Sequence, residues 1–338
     1  QVDALNELAL LYARVDYQKS KEYFNLSLSK SMELSYCHGW AKSLQVEALA
    51  VFFNNDHKGY IELREESARK AIECKDWKLA CENYESIAYV YVTLWQDYSE
   101  SLEYYFKALQ LYEQHFPEGE VYRPMLGIAK VYIVQNDFDR AHEYLEKAKT
   151  LIHDNDEGGL QILYENQGDF EFAKGRYDEA ELFFQKALAS YKKSNAIGGM
   201  MFCYVDLANV YRETKNYEAA LKCGQEALNL GENYKQYDRA RLYGSESLGK
   251  TYLALSDLKK AKEYFQETVS IASKLNMIAE LKEGYKALAK ISEETQNFKE
   301  ALHYQQLHTA FSDSVMNKKK ARQIIRLEVQ LDTEIREK

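Results

Sequence analysis

The sequence predicts an all-α protein: a solenoid of about eight stacked helix pairs, followed by one further helix. Three observations predict it. Helix breakers are scarce, with only 2 Pro and 15 Gly in 338 residues, while 29% of the chain is charged and 46% hydrophobic. A turn followed by an aromatic or Leu residue and then Ala three residues on recurs about every 40 residues. Small and aromatic residues also recur at helical spacing on both sides of each turn, so each helix carries an apolar stripe that only a neighbour can bury.

The pattern is running at the start of the chain, with Leu8-Ala9 and Tyr12, and "VDYQKSKEYFNLS" places Ser20 in the alanine slot of the first pair. The "NLS" at Asn25 matches a glycosylation acceptor, but it falls inside a predicted helix and is read as chance. Residues 39–75 keep little more than the turn, in "VFFNNDHKGYIEL". "QDYSESLEYYFKA" then puts Ser101 in the slot, and Ser20 and Ser101 lie 81 residues apart, two periods with the degenerate pair between them. Four regular units follow: "NDFDRAHEYLEKA", "GRYDEAELFFQKA", "KNYEAALKCGQEA" and "SDLKKAKEYFQET". Their alanines, Ala141, Ala180, Ala220 and Ala261, continue to Ala301 at intervals of 39, 40, 41 and 40. The last pair, 279–311, is again degenerate, with Ser292 where a Tyr is expected and His308 in a small-residue slot. Ahead of the turns stand Ala129 with Tyr132, Leu207-Ala208 with Tyr211, and Leu248-Gly249 with Tyr252.

Together these residues resemble the tetratricopeptide repeat, whose pattern is W-x2-L-G-x2-Y followed by A-x3-F-x2-A. The resemblance covers nearly the whole chain and implies a right-handed superhelical solenoid over 1–311. The period near 40 exceeds the usual 34, so each unit carries about six extra residues in longer helices and connections.

Composition narrows the function. The formal net charge is −9, and residues 316–338 hold seven Lys/Arg and four Asp/Glu, leaving −12 on the rest. An acidic body does not point to nucleic-acid binding. No apolar run approaches the roughly 20 residues of a membrane span. Gln1 is not an initiator Met, so the chain is expected to begin within a longer protein or after processing. Cys37, Cys74, Cys81, Cys203 and Cys223 form no CxxC pair and read as small buried thiols in a reducing, cytoplasmic compartment. There is no GxGxxG, P-loop or HExxH; Gly158-Gly159 and Gly198-Gly199 read as turn glycines between pairs. No catalytic residue, cofactor or metal site is expected.

What remains is binding. In tetratricopeptide arrays the first helix of each unit lines the concave groove, which takes peptides or partner helices. Carried over register by register, that implies a row of Tyr89, Lys130, Asp169, Asn209 and Lys250, with Phe172 and Arg212 one turn further on. An amide such as Asn209 can donate to and accept from a peptide unit, and Lys130, Arg212 and Lys250 can hold a carboxylate.

Over 312–338, Ser312 or Asp313 is placed to start a new helix on which Ile324, Leu327, Leu331 and Ile335 recur at steps of three and four. This seam suits a homodimeric coiled coil or packing back on the solenoid. Phe311, Asp313-Ser314, Lys318 to Lys320, Ile324 and Leu327-Glu328 resemble the junction in bacterial multidomain signalling proteins. There, a repeat array senses and a connecting helix leads to a histidine kinase, a nucleotide or diguanylate cyclase, a phosphatase or a DNA-binding module. That resemblance implies a sensory module with a protein or peptide ligand and an output domain beyond Lys338. A free-standing scaffold and a peptide-controlled quorum-sensing regulator are the alternatives.

Overall fold

A computed structural model describes residues 1–13, 16–54, 56–116, 119–233, 238–275 and 277–312. The regular secondary structure of the described residues is helical. They fall into two compact units, the first spanning Gln1–Ala196 and the second starting at Ile197.

The first unit is built from five helix pairs. They are α1 (Val2–Tyr12) with α2 (Tyr17–Glu33), α3 (Cys37–Phe53) with α4 (His57–Glu73), α5 (Trp77–Thr93) with α6 (Tyr98–His115), α7 (Tyr122–Val134) with α8 (Phe138–Leu151), and α9 (Glu157–Ala173) with α10 (Tyr177–Lys193). The second unit holds α11 (Ile197–Glu213) with α12 (Tyr217–Asn233), α13 (Asp238–Ala254) with α14 (Leu258–Lys274), and α15 (Ile278–Glu294) with a helical stretch over 298–312, here α16. The degenerate stretch 39–75 therefore forms a helix pair as regular as its neighbours.

Short, repeated turn chemistry sets these lengths. Seven helices start behind an aspartate whose side chain accepts the N–H three residues on: Asp16, Asp56, Asp76, Asp97, Asp137, Asp156 and Asp257. Several of these aspartates also end the preceding helix. Asp76 N–H donates to Ala71 O at 2.8 Å and Lys75 N–H to Ile72 O at 3.0 Å, the paired bonds of a Schellman cap. The cap needs a left-handed residue. Lys75, Asn136, Lys215, Ser256 and Gln296 supply it, whereas Gly175 does so in only one turn. Reusing one Asp as C-terminal and N-terminal cap compresses the connection to a few residues, so consecutive helices fold back as hairpins.

The glycine pairs are not turn residues. Gly158 and Gly159 lie in the first turn of α9, and Gly198 and Gly199 in the first turn of α11. Asp156 takes the turn position, its carboxylate accepting from Gly159 N–H at 2.9 Å, and a Cβ at Gly159 would stand 3.0 Å from the Tyr122 ring. Close helix approach, not turn conformation, requires glycine there.

Packing follows the period. Ala141, Ala180, Ala220 and Ala261 are completely buried. Where Ser takes the slot, its hydroxyl is satisfied by the partner helix: Ser20 Oγ donates to Ala9 O at 2.8 Å and Ser101 Oγ to Ala88 O at 2.9 Å. The first unit's main core runs from Ala48 and Tyr60 through Tyr104, Leu126 and Ala141 to Phe170. In the second, Ala261, Phe265, Leu288 and Ile291 cluster on one side and Leu242, Ile271 and Leu281 on another.

The cysteine expectation is corrected here. Cys81 and Cys203 are buried thiols and Cys223 is half-buried, but Cys37 and Cys74 form a disulfide with Cα atoms 5.7 Å apart. Cys37 opens α3 and Cys74 caps α4, so the bond joins the two outer ends of a single hairpin. A separation of 37, close to one repeat, is what brings those ends together; without the turn positions it carries no motif.

Candidate functional site

Within the first unit the period-related positions fall on successive odd-numbered helices: Tyr89 on α5, Lys130 on α7 and Asp169 on α9. The structure brings two of them together, with Lys130 Nζ 3.0 Å from the Asp169 carboxylate across the α7–α9 contact. Tyr89 is 42% exposed. Phe172 lies one turn on from Asp169 but packs its ring against Tyr177 at 5.5 Å, at the turn of its own hairpin.

The same helices carry further polar cross-links one or two turns earlier, residues that the sequence reading missed. Arg123 Nε on α7 donates to Glu85 on α5 at 3.1 Å, and Gln45 on α3 donates to Glu82 on α5 at 3.4 Å. Tyr122 donates to Asp156 at 2.6 Å. Glu165, one turn before Asp169, has its carboxyl pushed up to about 7, chiefly by burial, with Lys130 pulling it down and Asp169 pushing it up. Burial likewise raises Glu85 against the opposing pull of Arg123. Their signal in the sequence is an offset of one or two turns from the Tyr89, Lys130 and Asp169 register.

Chemically, this face offers fixed charges and a carboxyl poised between its neutral and ionised forms. Below neutrality Glu165 can donate an O–H; above it the pair with Asp169 holds two negative charges beside one lysine. Glu47 on α3 is also pushed up to about 7 by burial, is 5% exposed, and keeps Oε2 without a hydrogen-bond partner. Both carboxyls bind a proton more tightly in the folded than in the unfolded chain. Their contribution is therefore full below the ordinary glutamate value near 4.5 and lost as pH rises through about 7. Accordingly, stability of the first unit should fall between pH 5 and pH 8, roughly. A Glu47→Gln, Glu165→Gln chain should show a flatter profile in urea melts across that range.

In the second unit the predicted residues are engaged locally. Arg212 donates through Nη2 to Asn209 Oδ1 and through Nη1 to Ala208 O at 3.5 Å. Burial holds its guanidinium below the usual value, opposed by Glu213 and Glu246. Lys250 pairs with Glu246 on its own helix at 2.6 Å. Ile324, Leu327, Leu331 and Ile335 lie outside the described residues. Among the described residues, no three His, Cys, Asp or Glu side chains are grouped to hold a metal ion.

The comparisons with known proteins agree on the architecture. The Photosystem I assembly protein Ycf3 of Prochlorococcus marinus subsp. pastoris is 30% identical over 120 residues, a match covering 33% of this chain. The chain spans 64% of that relative's length. A Rap protein solved in complex with competence and sporulation factor superposes with a TM-score of 0.66 at 16% identity, covering 93% of this chain and 88% of that one. A signal-transduction ATPase from Pyrococcus horikoshii with a tetratricopeptide repeat sensor gives 0.51 at 19% identity, over 95% of this chain and 49% of that one. At such identities these structures establish the fold alone. The sequence profile of the MalT-like TPR region matches residues 96–335, and the protein described here belongs to that family.

Proposed function

We propose that this chain is a non-catalytic sensory module that binds a peptide or protein segment on its odd-helix face. It passes binding through residues 312–338, which pair with a second copy through Ile324, Leu327, Leu331 and Ile335, to an output domain such as a kinase, cyclase, phosphatase or DNA-binding module. The observation that carries the reading is the Lys130–Asp169 pair, a partly exposed charge pair linking two repeats at the register that the tetratricopeptide resemblance assigns to the groove. Such a pair adds little stability, and its value lies in presenting a donor and an acceptor at fixed spacing to a peptide backbone or side chain. Tyr89 adds an exposed aromatic surface on the same face; Asn209, Arg212 and Lys250 do the same work in the second unit.

Two observations favour other readings. The similarity to a protein named for photosystem assembly supports a scaffold or adaptor. The Rap likeness, to a protein solved with a signalling factor bound, supports a peptide-controlled regulator. No described helix is long and apolar enough to cross a membrane. A cytoplasmic location is part of the proposal, and the Cys37–Cys74 bond weighs against it, because disulfides persist chiefly in oxidising compartments. Alkylation mass mapping of the native protein decides between them.

Selection of random peptides against the immobilised chain tests the binding reading. Peptides with roughly micromolar Kd are expected, and Lys130→Glu should weaken them about tenfold or more. The swap Lys130→Asp with Asp169→Lys should keep the fold and still lose binding. Failure to enrich any peptide, or indifference to both changes, would count decisively against this function.

A further inference from the structure

The last helix pair ends in an apolar face of its own. Phe298 is 67% exposed and Leu302 60%, one turn apart on α16. One period back, Leu258 sits half-buried against the Phe265 and Leu288 cluster. Around Phe298 and Leu302 a groove of about 580 Å³ opens, lined by apolar Leu253, Phe265 and Ala287 and by charged side chains of both signs, Lys250 and Glu246 among them. Terminal repeats of a stacked array need a cover of this kind to stay soluble.

We propose that residues 313–338 of the same chain dock in this groove as a helix running antiparallel to α16. Three features select this occupant. The first is attachment: Phe311 stacks on Tyr285 at 5.7 Å, so α16 is held to the unit up to the point where the segment begins. A tethered segment competes at an effective concentration in the millimolar range, which a second copy does not reach. The second is the turn. Asp313 is of the residue type that precedes seven described helices, and it stands at the start of the segment.

The third is register. At 1.5 Å per residue, a helix starting near Ser314 and running back along α16 brings Ile324 about 15 Å from the turn, level with Leu302. Leu327 then falls about 20 Å back, level with Phe298. The two most exposed apolar side chains of α16 thus meet the first two members of the 324–335 seam.

This deepens the sensory reading, because the seam assigned there to pairing with a second copy is held in cis until it is released. The groove is also walled by Lys250, so a ligand reaching that lysine and the docked segment would compete for the same end of the second unit.

Hydrogen exchange on the full chain tests it. Amides over 320–336 should be protected at least tenfold relative to an unstructured peptide, equally at low and high protein concentration. Phe298→Asp with Leu302→Asp should remove that protection while leaving α11–α13 unchanged. Should those changes unfold the last pair, Ile324→Asp with Leu327→Asp keeps the groove intact and should instead speed exchange in α16. Exchange of 320–336 at free-peptide rates overturns the proposal. So does protection that grows with concentration, or that survives the groove substitutions, since either marks pairing between copies. Selected peptides that bind a chain with an unprotected tail would sink this inference alone; a protected tail on a chain that enriches no peptide would sink only the sensory reading.

Discussion

Replacing Cys37 and Cys74 by serine is expected to lower the stability of the first unit by about 3–4 kcal/mol. The bond closes a loop spanning 37 residues, the whole α3–α4 hairpin. Freeing a loop of that size restores chain entropy to the unfolded state worth about 4 kcal/mol when the native geometry is unstrained. Because each repeat leans only on its neighbours, the loss should concentrate in α1–α6 and leave the second unit at its original stability. Urea melts read by hydrogen exchange, on the oxidised, reduced and double-serine chains, check this. Reduced and double-serine chains both lack the cross-link, so they should behave alike. Equal protection of α3 and α4 in all three would show that the bond adds no stability.

Phe184→Ala should cost about 3–5 kcal/mol, the range for truncating a buried aromatic. Phe184 is 1% exposed, and its ring lies directly over Gly168 of α9: a Cβ on that glycine would stand 2.5 Å from the ring edge. The ring and the missing side chain are one packing unit. Gly168→Ala should accordingly cost about 1–3 kcal/mol by pushing the ring aside. The pair Gly168→Ala with Phe184→Leu should cost less than the two changes summed, because the smaller side chain makes room for the added methyl. Chemical denaturation of the unchanged chain, Phe184→Ala, Gly168→Ala, Phe184→Leu and the pair measures it, and a loss under about 1 kcal/mol for Phe184→Ala would show that the site collapses freely.

The fold was legible because its signal is a distance along the chain, not a set of rare residues. Ala141, Ala180, Ala220 and Ala261 each sit where two helices touch, so substitution there is costly and the spacing stays readable. Ser20 and Ser101 kept that register because a hydroxyl bonded to the partner helix occupies nearly the same space as a methyl group. The glycine pairs were misread because the turns were already supplied by Asp and by left-handed Lys, Asn and Ser; close approach to Tyr122 accounts for Gly159, and nothing stands near a Cβ at Gly198. The disulfide was hidden because its geometry depends on both ends of a hairpin whose own repeat signature is the weakest. On the odd-helix face the register of Lys130 and Asp169 could be counted off in repeats. The environment of Glu165 could not, since burial is a property of the stack and not of the sequence.

The most direct test of the account is a hydrogen-exchange footprint of a selected peptide bound to the full chain. The account predicts slowed exchange on the odd-numbered helices around Tyr89, Lys130 and Asp169, with α6, α8 and α10 unchanged. Slowed exchange confined to α6, α8 and α10, with α5, α7 and α9 unaffected, would contradict it.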